Sequence, residues 1–218
     1  KYKGNIPEAM RVSAMKHIGI LEKMDFHNIK ISLKASNVIE TVEAYQLLAK
    51  EVDYPFHIGI SESGTLYSGT IKSSVGLGIL LALGIGDTIR VSLTSNPVDE
   101  VKAGFEILKA LKLRKKGINI ISCPTCSRQE IDIISLASKI EKRLSHIKKS
   151  VDIAVMGCVV NGPGEAKRAD IAVAGGKNIG VIYKKGKITR KVKLETDQQE
   201  EELIEDLQHE INKTSENS

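Results

Sequence analysis

The sequence predicts an α/β protein in two parts. The first lays down a parallel sheet from strand–helix units, and the second is a smaller α/β domain that begins near Gly117. Three observations carry this. Strand-like and helix-like patterns alternate three times between Ile29 and Leu113, the order that builds parallel strands with right-handed crossovers. After Lys115-Lys116-Gly117 the pattern changes to short strands that end in a hairpin. All three cysteines fall in this second part, at apparent strand ends: Cys123 and Cys126 in one C-x-x-C stretch, Cys158 in another.

In chain order, Pro7 to Met24 reads as a helix, with Pro7 suited to a first turn and Ala9, Met10, Ala14, Ile18 and Leu21 at helical spacing. Ile29 to Lys34 alternates like a strand. Ser36-Asn37 offers a cap for a helix to about Lys50. Pro55 to Ile60 is a second strand, and a helix from about Gly69 to Leu83 carries Gly76 and Gly78, which suggests close packing. Thr88 to Leu93 is a third strand, and Asn96-Pro97 opens a helix to about Leu113. Beyond Gly117, Ile118 to Ile121 is a strand, Arg128 to Ile147 a long helix and Val151 to Val155 a strand. Ile171 to Ala174 and Gly180 to Tyr183 are further strands. Lys184-Lys185-Gly186-Lys187 is a hairpin turn that returns through Val192. An acidic helix covers about Asp197 to Ile211.

The strand ends of the first part carry Lys34, Glu62, Arg90 and Ser92, and in a (β/α) barrel that face holds the chemistry. Three units cannot close an eight-stranded barrel, but they can be its last three. Residues 1–116 are therefore expected to be the C-terminal part of a (β/α)8 TIM barrel that holds a substrate, and 117–218 a second domain. The chain starts at Lys1 rather than Met, and its first residues resemble a loop entering a helix, so the N-terminal part of a longer protein is expected upstream.

The net charge of +5 favours anionic ligands but is too small to argue for nucleic acid. The local basic run from Lys112 to Lys116 reads best as a solvated helix end. No apolar stretch reaches the length of a membrane span, and no signal peptide is visible. Three cysteines, two of them in C-x-x-C, suit a reducing cytoplasm better than a disulfide framework.

The C-x-x-C pair is compatible with buried thiols, a redox pair or ligation of a metal or cluster. Cys158 adds a third thiol that ends another strand. Three thiolates suit zinc or iron–sulfur chemistry. Zinc usually completes its shell with a further Cys or a His, and neither His146 nor His209 lies near the cysteine segments in sequence. Glu165, seven positions after Cys158 and beyond the turn at Gly162-Pro163-Gly164, is the nearby candidate for a fourth ligand. It is equally readable as a surface carboxylate.

Two strings, Cys123-Pro124-Thr125-Cys126-Ser127-Arg128-Gln129-Glu130 and Gly157-Cys158-Val159-Val160-Asn161-Gly162-Pro163-Gly164-Glu165, closely resemble the 4-hydroxy-3-methylbut-2-enyl diphosphate synthases of the methylerythritol phosphate route to isoprenoids. Val38 to Lys50, Ile58 to Gly64, Lys72 to Gly78 and Gly84 to Leu93 resemble the same family, so the likeness runs over essentially the whole chain. It implies a [4Fe–4S] cluster in the second domain, held by Cys123, Cys126, Cys158 and Glu165. It also implies a two-electron reductive ring opening and dehydration of 2-C-methylerythritol 2,4-cyclodiphosphate, with electrons from flavodoxin or ferredoxin. Lys34, Arg90 and Ser92 match substrate-binding positions. Glu62 matches a barrel carboxylate near the substrate, and Asn161 would stand beside the iron within reach of a substrate oxygen. Ser61 and Ser63 stand where the family usually shows Thr and Ala. His57 could line the same mouth, although a satisfied core histidine is the stronger reading. The likeness further implies a homodimer in which the cluster of one subunit covers the barrel mouth of its partner.

A non-catalytic [4Fe–4S] electron-transfer fragment is the competing reading. It would need the three cysteines but not Lys34, Arg90 or Glu62. Nucleic-acid binding through the Lys112–Lys116 run has no other support, and neither a nucleic-acid partner nor a membrane is expected.

Overall fold

A computed structural model describes residues 2, 4–158, 160 and 162–213. The chain divides into two compact units, Lys1–Arg114 and Lys115–Ser218.

The first unit opens with α1 (Ile6–Lys23), whose Asn5 cap accepts from the Glu8 amide. Then come α2 (Val38–Leu48), β1 (His57–Gly59), α3 (Leu66–Ala82), β2 (Thr88–Arg90) and α4 (Pro97–Ala110). Asn37 and Asn96 cap α2 and α4, as their position before the apolar runs predicts. β1 and β2 pair in parallel, His57 opposite Thr88 and Gly59 opposite Arg90. The helices cover an apolar core that includes Tyr45, Leu48, Ile58, Leu77 and Leu80. Gly76 is packed so closely that a Cβ there would meet the Ile60 side chain at 2.6 Å, whereas Gly78 faces open space. The expectation of close packing thus holds for one of the two glycines.

The strand expected at 29–34 is a single parallel bridge, Ile31 to Phe56. The Ile31 amide donates to the Pro55 carbonyl and the His57 amide to the Ile31 carbonyl. A hydroxyl occupies the next rung. The Leu33 amide donates to Tyr45 Oη at 2.8 Å, and Tyr45 Oη donates to the His57 carbonyl at 2.7 Å. The tyrosine therefore replaces a ladder bond while leaving both backbone groups satisfied.

The second unit contains β3 (Ile118–Ser122), α5 (Ile133–Leu144), β4 (Val151–Met156), α6 (Gly162–Glu165), β5 (Ile171–Gly176), β6 (Ile179–Lys184), β7 (Lys187–Lys193) and α7 (Asp197–Lys213). They form one sheet in the order β3-β4-β5-β6-β7, parallel from β3 to β5 and antiparallel from β5 to β7. The β6–β7 hairpin turns on Lys185 and Gly186, both at positive φ, as a tight two-residue turn requires. One sheet face packs against α5 and α7 through Leu136, Ile140, Ile153, Val173, Leu203 and Leu207. The other face is built from small residues, Ala154, Ala172 and Ala174, with Ala166 and Ala169 over them. Several acids of α7 are tied to bases outside it: Lys139 to Asp197 and Glu200, Lys184 to Glu210, and Arg190 to Glu202 and Asp206.

The long helix expected from Arg128 begins only at Ile133, because Asp132 caps it by accepting from the Ser135 amide. The residues before it serve the cysteine segments instead. The Gln129 amide donates to the Cys126 carbonyl, and the Glu130 amide to the Gly157 carbonyl.

Candidate metal centre and anion site

Strands β3 and β4 are in parallel register with Ser122 opposite Val155, so the residues that follow them emerge side by side. Cys123 comes directly after β3, and Gly157-Cys158 directly after β4. A cavity of about 100 Å³ is lined by Cys123, Pro124, Cys126, Arg128, Gln129, Gly157 and Cys158. Cys158 is buried, Cys123 half-buried and Cys126 exposed. The Gly157 amide donates to Cys123 Sγ at 3.3 Å. Among the described residues no group of three or more His, Cys, Asp or Glu side chains is gathered for one metal ion. Each ligand of a cuboidal cluster holds its own iron, so a cluster asks its thiolates to stand around a cavity. The donor set here, three soft thiols around one cavity with an N–H aimed at a sulfur, fits such a group.

Glu165, in the last turn of α6, is not among the described residues lining that cavity. Its Oε1 lies 3.9 Å from Arg168 Nη1 and its side chain is one-third exposed. α6 is seated by Gly162, where a Cβ would come within 2.3 Å of the Ala174 Cβ. The expectation for Asn161 lies outside the described residues.

The barrel-type candidates gather at Gly59. A Cβ there would stand 3.4 Å from Lys34 Cε, 3.5 Å from Arg90 Cβ and 2.7 Å from the Arg90 carbonyl oxygen. The missing side chain therefore makes room for the Lys34 stem and the Arg90 backbone. Lys34 lines a cavity beside α1, and Arg90 another beside α4. Burial, then Arg90 and Lys30, hold the Lys34 ammonium below the usual lysine range. Ser92, two positions beyond Arg90, is half-buried.

Glu62 is exposed and takes a left-handed backbone at φ +51°, uncommon for a residue other than glycine. The loop beneath it is pinned. The Ser63 hydroxyl is fully buried, donates to the Ile60 carbonyl and meets the Ser73 hydroxyl at 3.2 Å. The Ser61 amide donates to the Ala35 carbonyl.

Sequence reasoning passed over Lys30 and favoured a core position for His57, which the structure corrects. His57 is half-buried on β1 rather than in the core, with Nδ1 2.8 Å from Thr88 Oγ1. Burial, then Lys34, Lys30 and Arg90, hold its imidazole below the usual histidine range. Lys30 shares the alternation of Ser32 and Lys34, and that parity was the available signal.

Parallel strands carrying cations, followed by an α/β unit with three thiols around a cavity, define a class of two-part α/β protein with a thiol centre. Residues 1–105 match the GcpE TIM-barrel domain and residues 119–213 the GcpE protein C-terminal domain. The chain belongs to the GcpE family. It is 60% identical over 213 residues to the 4-hydroxy-3-methylbut-2-en-1-yl diphosphate synthase (flavodoxin) of Caldanaerobacter subterraneus subsp. tengcongensis, covering 98% of this chain and 58% of that protein. Over 192 residues it is 62% identical to the enzyme of that name from Geobacter sulfurreducens, covering 88% of this chain and 54% of that protein. It is 53% identical over 213 residues to the one from Lawsonia intracellularis, covering 98% and 58%. The chain thus spans between 54% and 58% of the length of these relatives. No helix among the described residues is long and apolar enough to cross a membrane.

Proposed function

We propose that the chain provides the iron–sulfur centre and part of the substrate site of a 4-hydroxy-3-methylbut-2-enyl diphosphate synthase. This enzyme would convert 2-C-methylerythritol 2,4-cyclodiphosphate to the allylic diphosphate with two electrons from flavodoxin or ferredoxin. The observation that carries this is the cavity lined by Cys123, Cys126 and Cys158 in a chain so similar to synthases of that name. Cys123, Cys126, Cys158 and Glu165 would hold a [4Fe–4S] cluster. Bound there, the cluster supplies electrons one at a time and a Lewis-acidic iron. Glu165, a harder and weaker ligand than thiolate, is the exchangeable one. Lys34, Arg90 and Ser92 bind the diphosphate by charge and hydrogen bonds. Glu62 faces the substrate from a pinned loop as a proton donor, and Asn161 hydrogen-bonds a substrate oxygen. The working enzyme is a homodimer in the cytoplasm, with the thiol centre of one subunit over the barrel mouth of the other.

Anaerobic reconstitution tests the centre. The expected product is a brown protein with about four irons per chain; a colourless protein with one zinc overturns it. Lys34→Ala or Arg90→Ala is expected to weaken binding of the cyclic diphosphate roughly 10- to 100-fold, the weight of a charge-assisted bond. Unchanged affinity, with the cluster intact, favours an electron-transfer module instead.

A further inference from the structure

Alternate positions of the 29–34 segment, β1 and β2 form two rows in the first unit. Lys34, Gly59 and Arg90 make one, with the missing Cβ at Gly59 letting the two cationic side chains approach its backbone. Ser32, His57 and Thr88 make the row beside it. The Ser32 hydroxyl donates to the His57 carbonyl, and His57 Nδ1 is 2.8 Å from Thr88 Oγ1. The charged groups that act on the His57 ring are Lys30 and Lys34 from the 29–34 segment and Arg90 from β2, all cations. Asp87, at the entry to β2, spends a carboxylate oxygen on the Phe56 amide at 2.7 Å. The Thr88 hydroxyl suits either state of the ring, since it donates to a bare Nδ1 and accepts from a protonated one.

We propose that His57 is the proton-responsive member of this anion site: when a diphosphate-class anion binds at Lys34 and Arg90, the His57 imidazole takes up one proton from solvent. The proposal rests on the reading of Lys34 and Arg90 as diphosphate ligands. Burial first, and then these three cations, lower the proton affinity of the imidazole, and the cations are the groups a diphosphate neutralises. An anion of two or more negative charges reverses the local field, and the imidazole becomes an imidazolium that adds a further cation to the site. No electron moves, and the only bond formed is N–H on the ring. Anion affinity then gains a pH dependence that follows the His57 ring. His57 is a positioning residue here; the readouts below are ring titration and proton uptake, which a purely structural role would not move.

The test follows the imidazole resonances of the 218-residue chain by NMR with pH, with and without saturating inorganic pyrophosphate, and assigns His57 by its loss in His57→Gln. That substitution keeps an amide able to meet Thr88. Calorimetry of pyrophosphate binding near pH 6.5, in two buffers of different ionisation enthalpy, counts the protons. The expected results are an upward shift of the His57 midpoint with pyrophosphate, uptake of roughly half a proton or more per anion, and loss of that uptake in His57→Gln. The midpoint also rises in anion-free Lys34→Met, which tests the field without any ligand. Pyrophosphate binding that leaves the His57 midpoint unmoved overturns the proposal and spares the anion site. Absence of pyrophosphate binding overturns the anion site and the proposal with it. A midpoint unchanged in Lys34→Met overturns the coupling whatever the anion does.

Discussion

At Gly162 the absence of one methyl group decides whether α6 can lie on β5. A Cβ there would sit 2.3 Å from that of Ala174, far inside contact distance. Gly162→Ala is therefore expected to destabilise the second unit by about 1–3 kcal/mol, the usual cost of overpacking, and urea unfolding measures it. His57 gives a prediction of pH dependence. Its proton affinity is lower folded than unfolded, so the unfolded chain binds more protons as pH falls below the ordinary value of 6.5. Stability contributed by the neutral ring is present above that value and is lost as pH falls through the lower folded one. His57→Gln should flatten this slope in pH-dependent unfolding of the first unit. Glu62 takes a left-handed backbone next to Ser63, whose buried hydroxyl meets that of Ser73. Ser63 was read from sequence only as a departure from the family's usual Ala. In the fold it bonds Ser73, at a position whose partner lies ten residues away and carries no local signal.

At the scale of elements, helix starts were legible because capping is local. Asn37 and Asn96 mark α2 and α4 through side chains that reach amides two or three residues on. The start of α5 was misplaced because the residues before Asp132 are apolar or polar enough to continue a helix, and only bonds to the cysteine segments withdraw them. Asp132→Ala should cost about 1 kcal/mol and raise amide exchange across the first turn of α5. The reduced strand at 29–34 has the same kind of cause. Tyr45 from α2 inserts its hydroxyl where the ladder would continue. Tyr45→Phe leaves the Leu33 amide without its acceptor, at an expected cost of about 1–3 kcal/mol, seen as a lower unfolding midpoint of the first unit.

For the whole molecule, the division into units rests on separate cores. The first draws on Ile18 to Ile107 and the second on Ile133 to Ile211, with no residue in common. Leu144→Ala, at a fully buried site, is expected to destabilise the second unit by about 2–5 kcal/mol. Hydrogen exchange should then rise through β3 to β5 and stay unchanged in α2 and α3; acceleration in both would show one cooperative core. The proposed chemistry divides in the same way, thiols in one unit and anion-binding cations in the other.

The sequence by itself determined the alternation of strands and helices, the helix caps, the hairpin at Lys185-Gly186, and three cysteines at strand ends within strings characteristic of one family. These are short-range properties, set by backbone preferences and side-chain bonds spanning a few residues. Only the tertiary structure decided which strand ends meet. It brought Cys158 to the cavity of Cys123 and Cys126, left Glu165 outside that lining, and set Lys34 and Arg90 at the gap left by Gly59. Those neighbours depend on strand register and on one tyrosine hydroxyl between two strands, and register is fixed by packing among segments far apart in the chain.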